Sequence, residues 1–227
     1  MQGDYYQNIL YPFQDKILNL VEKLPVDFYL TGGTALSRAY LNHRYSDDLD
    51  FFVNNAGDFK SQVNSIIKAL KDFGIKTEIL VADEGFARLY VFEDERSLKL
   101  DFVNDVPYRF ENHCITDIYT RTDNLSNILS NKITALGRYS VKDVVDIVYI
   151  CRVLEFNWEE ILKDASEKDL WVNPLSVVEV LEQFPIEKLH EISWTIDPPG
   201  NSFFRSQIDQ IIPEILYGSN NSLFELF

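Results

Sequence analysis

Cysteine and histidine are scarce in this chain of 227 residues, which contains two cysteines and three histidines. Cys114 and Cys151 lie in different segments and form no CxxC pattern, so the sequence indicates neither a disulfide framework nor a zinc site. No apolar run approaches the roughly 18 residues of a membrane span, and no basic segment followed by an apolar one opens the chain. We therefore expect a cytoplasmic protein without zinc and without a membrane partner.

Positive charge is also limited, because 21 Lys and Arg residues stand against 36 Asp and Glu residues and the formal net charge is −15. Proteins that bind nucleic acid non-specifically neutralise its phosphates with Lys and Arg, so this composition argues against a general nucleic-acid binder. An acidic surface suits a basic partner, although it more often serves solubility. The basic residues that could still form a local patch are Arg38, Arg44, Arg88, Lys99, Arg109 and Arg121.

The spacing of hydrophobic residues, which make up 46% of the chain, changes after Pro107. Before it, an N-terminal helix that ends ahead of Pro25 and a helix over 58–73 accompany five β-rich runs, at 27–30, 49–53, 75–82, 86–92 and 97–103. After it, helical spacing is found at 124–138, 141–153, 158–168, 174–184 and 206–216. We predict an α+β fold, with a mixed sheet and flanking helices in a domain of residues 1–108 and a mainly helical domain of residues 109–227.

A doubled glycine follows the apolar stretch at 28–30. Gly32 and Gly33 allow a sharp backbone turn, and Thr34 can then open a helix whose free N–H groups face an anion. The alternative is an ordinary turn, which is the most common meaning of a lone Gly-Gly pair. The position of this pair between a strand and a helix predicts a phosphate-binding turn.

Two carboxylates, Asp48 and Asp50, are spaced i, i+2 in the next strand-like segment. Residues two apart in a strand point to the same side, so their oxygens would be presented together while Leu49 and Phe51 pack behind them. Mg²⁺ is usually held by one or two carboxylates plus substrate phosphates. The alternative is a solvated strand end, but the order of glycine turn, helix and Asp-x-Asp strand indicates nucleotide chemistry.

Asp101 is the candidate third carboxylate, because Leu100 and Phe102 occupy one face of its predicted strand and leave Asp101 on the other. Three converging acids repel one another and raise their pKa values unless cations neutralise them. Such a cluster therefore indicates a site for two metal ions and not a purely structural arrangement. The alternative is an exposed position on an ordinary edge strand.

Taken together, Gly-Gly-Thr-Ala-Leu at 32–36 and Arg-Tyr-Ser-Asp-Asp-Leu-Asp-Phe at 44–51 resemble the AbiEii-type abortive-infection nucleotidyltransferases. This family is a branch of the DNA polymerase β-like superfamily, and its best-known members are toxins of toxin–antitoxin pairs. Asn-Lys-Ile-Thr-Ala-Leu at 131–136 and Lys-Asp-Val-Val-Asp at 142–146 are similar to the family's later motifs. The resemblance covers roughly residues 26–153.

The resemblance implies transfer of a nucleoside monophosphate from an NTP to a hydroxyl on a tRNA 3′ end or a protein, together with an antitoxin partner. It implies catalytic roles for Asp48, Asp50, Asp101 and Lys132, with the three aspartates holding two Mg²⁺ ions. The implied nucleotide-binding residues are Gly32, Gly33, Thr34, Arg44, Ser46, Lys132, Asp143 and Asp146. For Arg44 and Ser46 the alternative is a solvated loop position.

Lys132 lies within the apolar stripe of its predicted helix, so its ammonium group must face inward. It must then reach solvent along its stem, pair with an acid or meet a phosphate, and the resemblance implies the last. Asp143 and Asp146 share one face of a helix that is apolar nearly all round, and they need partners. They could hold Lys132, Arg138 or Arg121 in place, or orient the nucleotide.

Two other functions fit the same residues. An aminoglycoside-like, small-molecule nucleotidyltransferase would use the acidic surface to attract a cationic acceptor. A catalytically silent relative would bind nucleotides without turnover. Tyr40, Tyr90 and Phe92 could stack a base, although aromatic residues in strands more often serve packing.

Overall fold

The computed structural model describes residues 2–224, which form two compact units. The first unit contains residues 2–40 and 45–123, and the second contains residues 41–44 and 124–224. The domain boundary between residues 108 and 109 stays a prediction. Within the described part of the chain, no helix is both long enough and apolar enough to cross a membrane.

A five-stranded mixed sheet of order β1-β2-β5-β4-β3 forms the centre of the first unit. Its strands are β1 (Tyr29–Thr31), β2 (Leu49–Asn54), β3 (Lys76–Ala82), β4 (Phe86–Glu93) and β5 (Arg96–Asp105). β2 runs parallel to β5, whereas the other neighbouring pairs are antiparallel. The predicted mixed sheet is confirmed.

Helices flank this sheet, and the predicted N-terminal helix, the helix after the glycine turn and the helix over 58–73 are all present, the first two as several shorter segments. They are α1 (Gln2–Tyr5), a π-helix (Tyr6–Leu10), α2 (Tyr11–Glu22), α3 (Gly32–Thr34), a second π-helix (Ala35–Leu41) and α4 (Phe59–Asp72). α2 contacts β5, and α4 contacts β3. Gly74, with φ +75°, follows α4 and allows the chain to turn into β3.

The strands alternate between an apolar face and a polar face, and this alternation places the candidate site. On β5, Leu98, Leu100 and Phe102 are fully buried. Lys99 and Asp101 occupy the alternate positions and therefore point to the other side of the sheet. The expected orientation of Asp101 is confirmed, but its side chain is buried, so the alternative of an exposed edge position is wrong.

The second unit is helical, as predicted. It contains α5 (Leu125–Thr134), a 3₁₀-helix (Ala135–Arg138), α6 (Val141–Cys151), α7 (Trp158–Lys168), α8 (Pro174–Glu182), a second 3₁₀-helix (Ile186–Glu191) and α9 (Asn201–Tyr217). Asparagine side chains accept hydrogen bonds from backbone N–H groups at the starts of α5, α7 and α8. These caps fix where each helix begins.

The predicted start of the last helix at residue 206 is wrong, since α9 begins at Asn201. Phe204 is almost completely buried, and its ring lies 5.8 Å from the ring of Phe184. Extending the helix to Asn201 places Phe204 in the core, and burial of an aromatic side chain stabilises that extra turn.

Candidate active site

The glycine turn lies directly against a carboxylate. Gly32 has φ +69°, a backbone conformation that side chains with a Cβ atom rarely adopt. A Cβ atom at Gly32 would also lie 2.2 Å from Oδ2 of Asp50. Both constraints require glycine at this position, and together they bring the turn after β1 into contact with the Asp-x-Asp strand.

Two threonine side chains fasten the ends of this turn. The Thr31 hydroxyl donates a hydrogen bond to Oδ2 of Asp123 over 2.7 Å, and Arg109 donates to Oδ1 over 2.6 Å. Thr34 donates to the backbone carbonyl of Asp48. The hydroxyl of Thr34 thus joins the turn to the strand, and its predicted contact with a nucleotide stays a prediction.

Asp123 is a buried residue that the sequence analysis missed. Its backbone N–H donates to the carbonyl of Leu30, and the backbone N–H of Leu30 donates to Arg121, so this segment lies alongside β1. In the sequence, Thr-Asp-Asn ahead of α5 is typical of a helix cap, and Asn124 does fill that role. The tertiary partner of Asp123 had no local signal.

The acidic residues of the two parallel strands are neighbours. Asp50 on β2 and Asp101 on β5 are register partners, and Asp48 immediately precedes β2. Arg88 on β4, the register partner of Asp101 on its other side, donates to both carboxylate oxygens of Asp101 over 2.7 Å. Lys99 Nζ lies 2.6 Å from Oδ2 of Asp48 and 3.5 Å from Oδ2 of Asp101.

Electrostatic pairing stabilises the two basic side chains as cations. Burial by itself lowers the pKa of Lys99, but the hydrogen bond and charge of Asp48 outweigh it and the pKa is raised. The hydrogen bonds to Asp101 raise the pKa of Arg88. Since three carboxylates face these two cations, the group is acidic overall.

The donor chemistry of this group fits Mg²⁺, because carboxylate oxygens are its preferred protein ligands and one cation already bridges Asp48 and Asp101. Asp101 would have to share its carboxylate with Arg88. In residues 2–224, no cluster of three or more His, Cys, Asp or Glu side chains is arranged to hold a metal ion. The metal-binding role of the three aspartates stays a prediction.

The later motifs form a separate, buried charge cluster in the helical unit. Lys132 Nζ lies 2.8 Å from Oδ1 of Asp143 and 2.7 Å from Oδ2 of Asp146. Arg44 binds Asp146 with two hydrogen bonds of 2.7 Å, and Arg138 binds Asp143 in the same paired manner. Lys132 does face inward, and its ammonium group has two carboxylate partners.

The opposite charges in this cluster shift one another's pKa values towards the charged forms. Burial alone raises the pKa of Asp146, but Arg44 and Lys132 hold it well below its ordinary value. Burial likewise raises the pKa of Asp143, and Lys132 and Arg138 lower it overall. Burial lowers the pKa of Lys132, and the two aspartates reverse that effect, so all three groups are charged.

His43 completes the cluster as a neutral side chain. Its Nε2 lies 2.9 Å from Oδ1 of Asp146, while its buried Nδ1 has no hydrogen-bond partner. Burial lowers the pKa of His43 despite the neighbouring carboxylate. The bond to Asp146 therefore assigns the proton of the neutral ring to Nε2.

The structure decides between several of the sequence alternatives. Arg44 and Ser46 are both buried, so their interpretation as solvated loop residues is wrong. Two of the cationic partners that the sequence suggested are present in the structure: Lys132 contacts both Asp143 and Asp146, and Arg138 binds Asp143. Arg121 is not one of those partners in the described contacts, since its guanidinium donates to the carbonyl of Val26.

The aromatic residues named as base-stacking candidates lie in two places. The Tyr40 hydroxyl donates to the carbonyl of Asp123. Tyr90 and Phe92 occupy alternate positions on β4, with their rings stacked at 6.3 Å between centroids, in line with Arg88 on the same strand. Stacking of a base on these rings stays a prediction.

Comparison with known proteins relates this arrangement to a family. JHP933 from Helicobacter pylori is 20% identical, with a TM-score of 0.58 and 92% of each chain covered. MenT4, the nucleotidyltransferase toxin Rv2826c from Mycobacterium tuberculosis H37Rv, is 14% identical, with a TM-score of 0.59, 92% of this chain and 83% of that chain covered. These likenesses show the fold. No curated protein sequence matches this chain.

A family model also matches this chain, over most of its length. The model described as nucleotidyl transferase AbiEii toxin, type IV toxin–antitoxin system, matches residues 20–197, which is more than half of the chain. The match includes the glycine turn, the Asp-x-Asp strand and the buried Lys132 cluster. The chain therefore belongs to the AbiEii family of nucleotidyltransferase toxins.

Proposed function

We propose that this protein transfers a nucleoside monophosphate from an NTP to a hydroxyl group in a Mg²⁺-dependent reaction. The contact between the Gly32 turn and the Asp50 carboxylate supports this proposal most directly. It brings backbone N–H groups, which suit phosphate oxygens, next to carboxylates that suit a divalent cation.

In the proposed reaction, Gly32, Gly33 and Thr34 receive the triphosphate, and Asp48, Asp50 and Asp101 bind the metal. Bound Mg²⁺ supplies Lewis-acid polarisation of the α-phosphate. Arg88 keeps the Asp101 carboxylate in a fixed orientation through its two hydrogen bonds. The oxygen of the acceptor hydroxyl bonds to the α-phosphorus, the bond from that phosphorus to the bridging oxygen of the β-phosphate breaks, and pyrophosphate leaves while the hydroxyl proton passes to solvent. The protein contributes positioning and charge neutralisation.

The acceptor and the partner extend this proposal. A tRNA 3′ end or a protein hydroxyl is the proposed acceptor, and an antitoxin is the proposed partner, in keeping with the type IV toxin–antitoxin description of the family. The proposed compartment is the cytoplasm, which holds the nucleoside triphosphates. These assignments follow from the family description.

The test measures transfer of label from each of the four NTPs, with Mg²⁺, to a mixture of cellular RNA and protein. Asp48→Asn and Asp50→Asn keep the side-chain size and remove charge, so we expect at least about a hundredfold loss of transfer. Asp72→Asn is the matched control, because Asp72 is exposed on α4 and pairs with Lys68 in solvent. Equal transfer by wild type and both site variants would contradict the proposal.

Two further arms of the same assay address the alternative functions. Label on an aminoglycoside and not on RNA or protein would identify a small-molecule acceptor, which the net charge of −15 would attract. Mg²⁺-dependent NTP binding without label transfer to any acceptor would identify a silent relative and contradict catalysis.

A further inference from the structure

The ammonium group of Lys99 occupies the space between two of the proposed metal ligands. Lys99 lies two residues before Asp101 on β5, so both side chains leave the same face of the sheet. The Lys99 side chain is 28% exposed, and its Nζ bridges Oδ2 of Asp48 and Oδ2 of Asp101 at 2.6 and 3.5 Å. One cation thus links carboxylates from two neighbouring chain segments.

The second cation of the group is held differently. Arg88 binds both oxygens of Asp101 in a planar, bidentate arrangement, and it fixes that carboxylate from the β4 side. Lys99 is a point charge on a flexible four-carbon stem, so it can leave its position by rotation of side-chain bonds alone. The Lys99 contact joins Asp48 to Asp101, whereas the Arg88 ion pair is made with Asp101.

We propose that Lys99 is a built-in counter-cation, which holds Asp48 and Asp101 together before metal binds and which the incoming divalent cation displaces. This inference rests on the proposed function, because it assigns the metal to the same carboxylates. In the metal-free protein, the ammonium group lowers the repulsion between the acids. It also competes with the metal for the same oxygen atoms.

Displacement changes the charge of the group in a direction that favours the nucleotide. Three carboxylates and two basic side chains give a negative group without metal, whereas one added divalent cation makes the same five side chains and the metal positive. The freed ammonium stays tethered beside the metal and suits the oxygens of a triphosphate. Lys99 therefore couples metal binding to nucleotide binding, since metal alone must overcome the ammonium group.

The first experiment measures binding of Mn²⁺ to the nucleotide-free full chain by electron paramagnetic resonance, because Mn²⁺ prefers the same oxygen ligands as Mg²⁺. We expect Lys99→Met to bind Mn²⁺ at least about tenfold more tightly than wild type, since a competing charge is removed. Lys99→Arg keeps the charge, so we expect wild-type affinity. Lys68→Met removes an exposed lysine of α4 and should also leave the affinity unchanged.

A second measurement follows the amine itself. Reductive methylation of wild-type protein, read by mass spectrometry, should label Lys99 more rapidly when Mn²⁺ is added, whereas exposed Lys68 should react at the same rate with and without metal. Because this measurement uses wild-type protein, it does not require a folded variant. Circular dichroism of Lys99→Met establishes that the variant used for metal binding is folded.

The outcomes separate this inference from the proposed function. Equal or weaker Mn²⁺ binding by folded Lys99→Met, or unchanged Lys99 labelling in metal-bound wild type, overturns the counter-cation role and leaves the metal site intact. Absence of Mn²⁺ binding in wild type and in all variants overturns the metal site, and the counter-cation role with it.

Discussion

Gly32 lies so close to Asp50 that a Cβ atom added to it would lie 2.2 Å from Oδ2 of Asp50, closer than two non-bonded atoms can approach. Gly32 also has φ +69°, so the residue is constrained by its backbone and by its neighbour at the same time. Two other glycines separate these two effects. Gly74 has φ +75° and open space around it, and Gly57 has open space without a positive φ.

Substitution of Gly32 by alanine should therefore lower the free energy of unfolding by more than backbone strain or the clash with Asp50 would alone. We expect Gly32→Ala to lower the free energy of unfolding by about 3 kcal/mol, because backbone strain and the clash with Asp50 add. Gly74→Ala should cost about 1 kcal/mol from strain, and Gly57→Ala should stay within about 0.5 kcal/mol of wild type. Urea denaturation measures all three. Similar values for Gly32→Ala and Gly74→Ala would show that the Asp50 contact relaxes freely.

Loss of the Lys132 ammonium group should destabilise the helical unit strongly. Lys132→Met leaves Asp143 and Asp146 buried with one cationic partner fewer, so we expect a loss of about 3–5 kcal/mol in the free energy of unfolding. Lys68→Met, which removes an exposed partner of Asp72, is the control and should leave the free energy of unfolding unchanged, because solvent screens this pair. Chemical denaturation of both variants gives the comparison. A small effect of Lys132→Met would show that the cluster readily admits solvent.

The neutral state of His43 predicts a fall in stability as pH decreases. The pKa of His43 is lowered by burial in the folded protein, so the unfolded chain binds a proton first and the stabilising contribution is lost below the ordinary histidine pKa of about 6.5. Between pH 7 and 5.5, His43 should account for up to about 1 kcal/mol of lost stability.

His43→Gln should remove that contribution, because glutamine keeps an N–H group for Asp146 and does not titrate. His113, whose pKa is also lowered by burial and by Arg109, acts in the same direction, so His113→Gln is the matched comparison. Asp143 and Asp146 have lowered pKa values and act only below about pH 4. Urea denaturation at pH 7 and 5.5 tests the assignment, and an unchanged pH difference in His43→Gln would refute it.

The hydrogen bond from the Thr31 hydroxyl to Asp123 should stabilise the folded protein. Thr31→Val removes the donor and leaves a buried carboxylate oxygen with one hydrogen bond fewer, so we expect a loss of about 1–3 kcal/mol. Thr31→Ser keeps the hydroxyl and should lose less. Thermal and chemical denaturation compare the two variants, and a loss for Thr31→Ser as large as that for Thr31→Val would show that the hydroxyl contributes no more stability than the methyl group.

Local sequence patterns predicted most of the helices and strands. The apolar spacing of 3.6 residues marks α2 and α4, and the alternation on β5 places Leu100 and Asp101 on opposite faces, because both periods arise within one element. The start of α9 was missed, since burial of Phe204 against Phe184 joins residues that are distant in the sequence.

Charged residues show the limit of such patterns. The inward direction of Lys132 follows from its own helix, but the choice among solvent, acid and phosphate as its partner does not. Arg44 has polar neighbours in the sequence and looks like a loop residue, yet it is 2% exposed because it binds Asp146, 102 positions away. The pairing of Asp101 with Arg88 similarly depends on the register of two strands.

The sequence by itself determined the order of helices and strands, the glycine turn ahead of Asp48 and Asp50, and the family to which the chain is similar, because these are encoded in short runs of residues. Only the tertiary structure decided which cation meets which carboxylate. Ion pairs form between groups that folding brings within a few ångströms, and in this chain strand register and helix packing, not sequence spacing, set those distances.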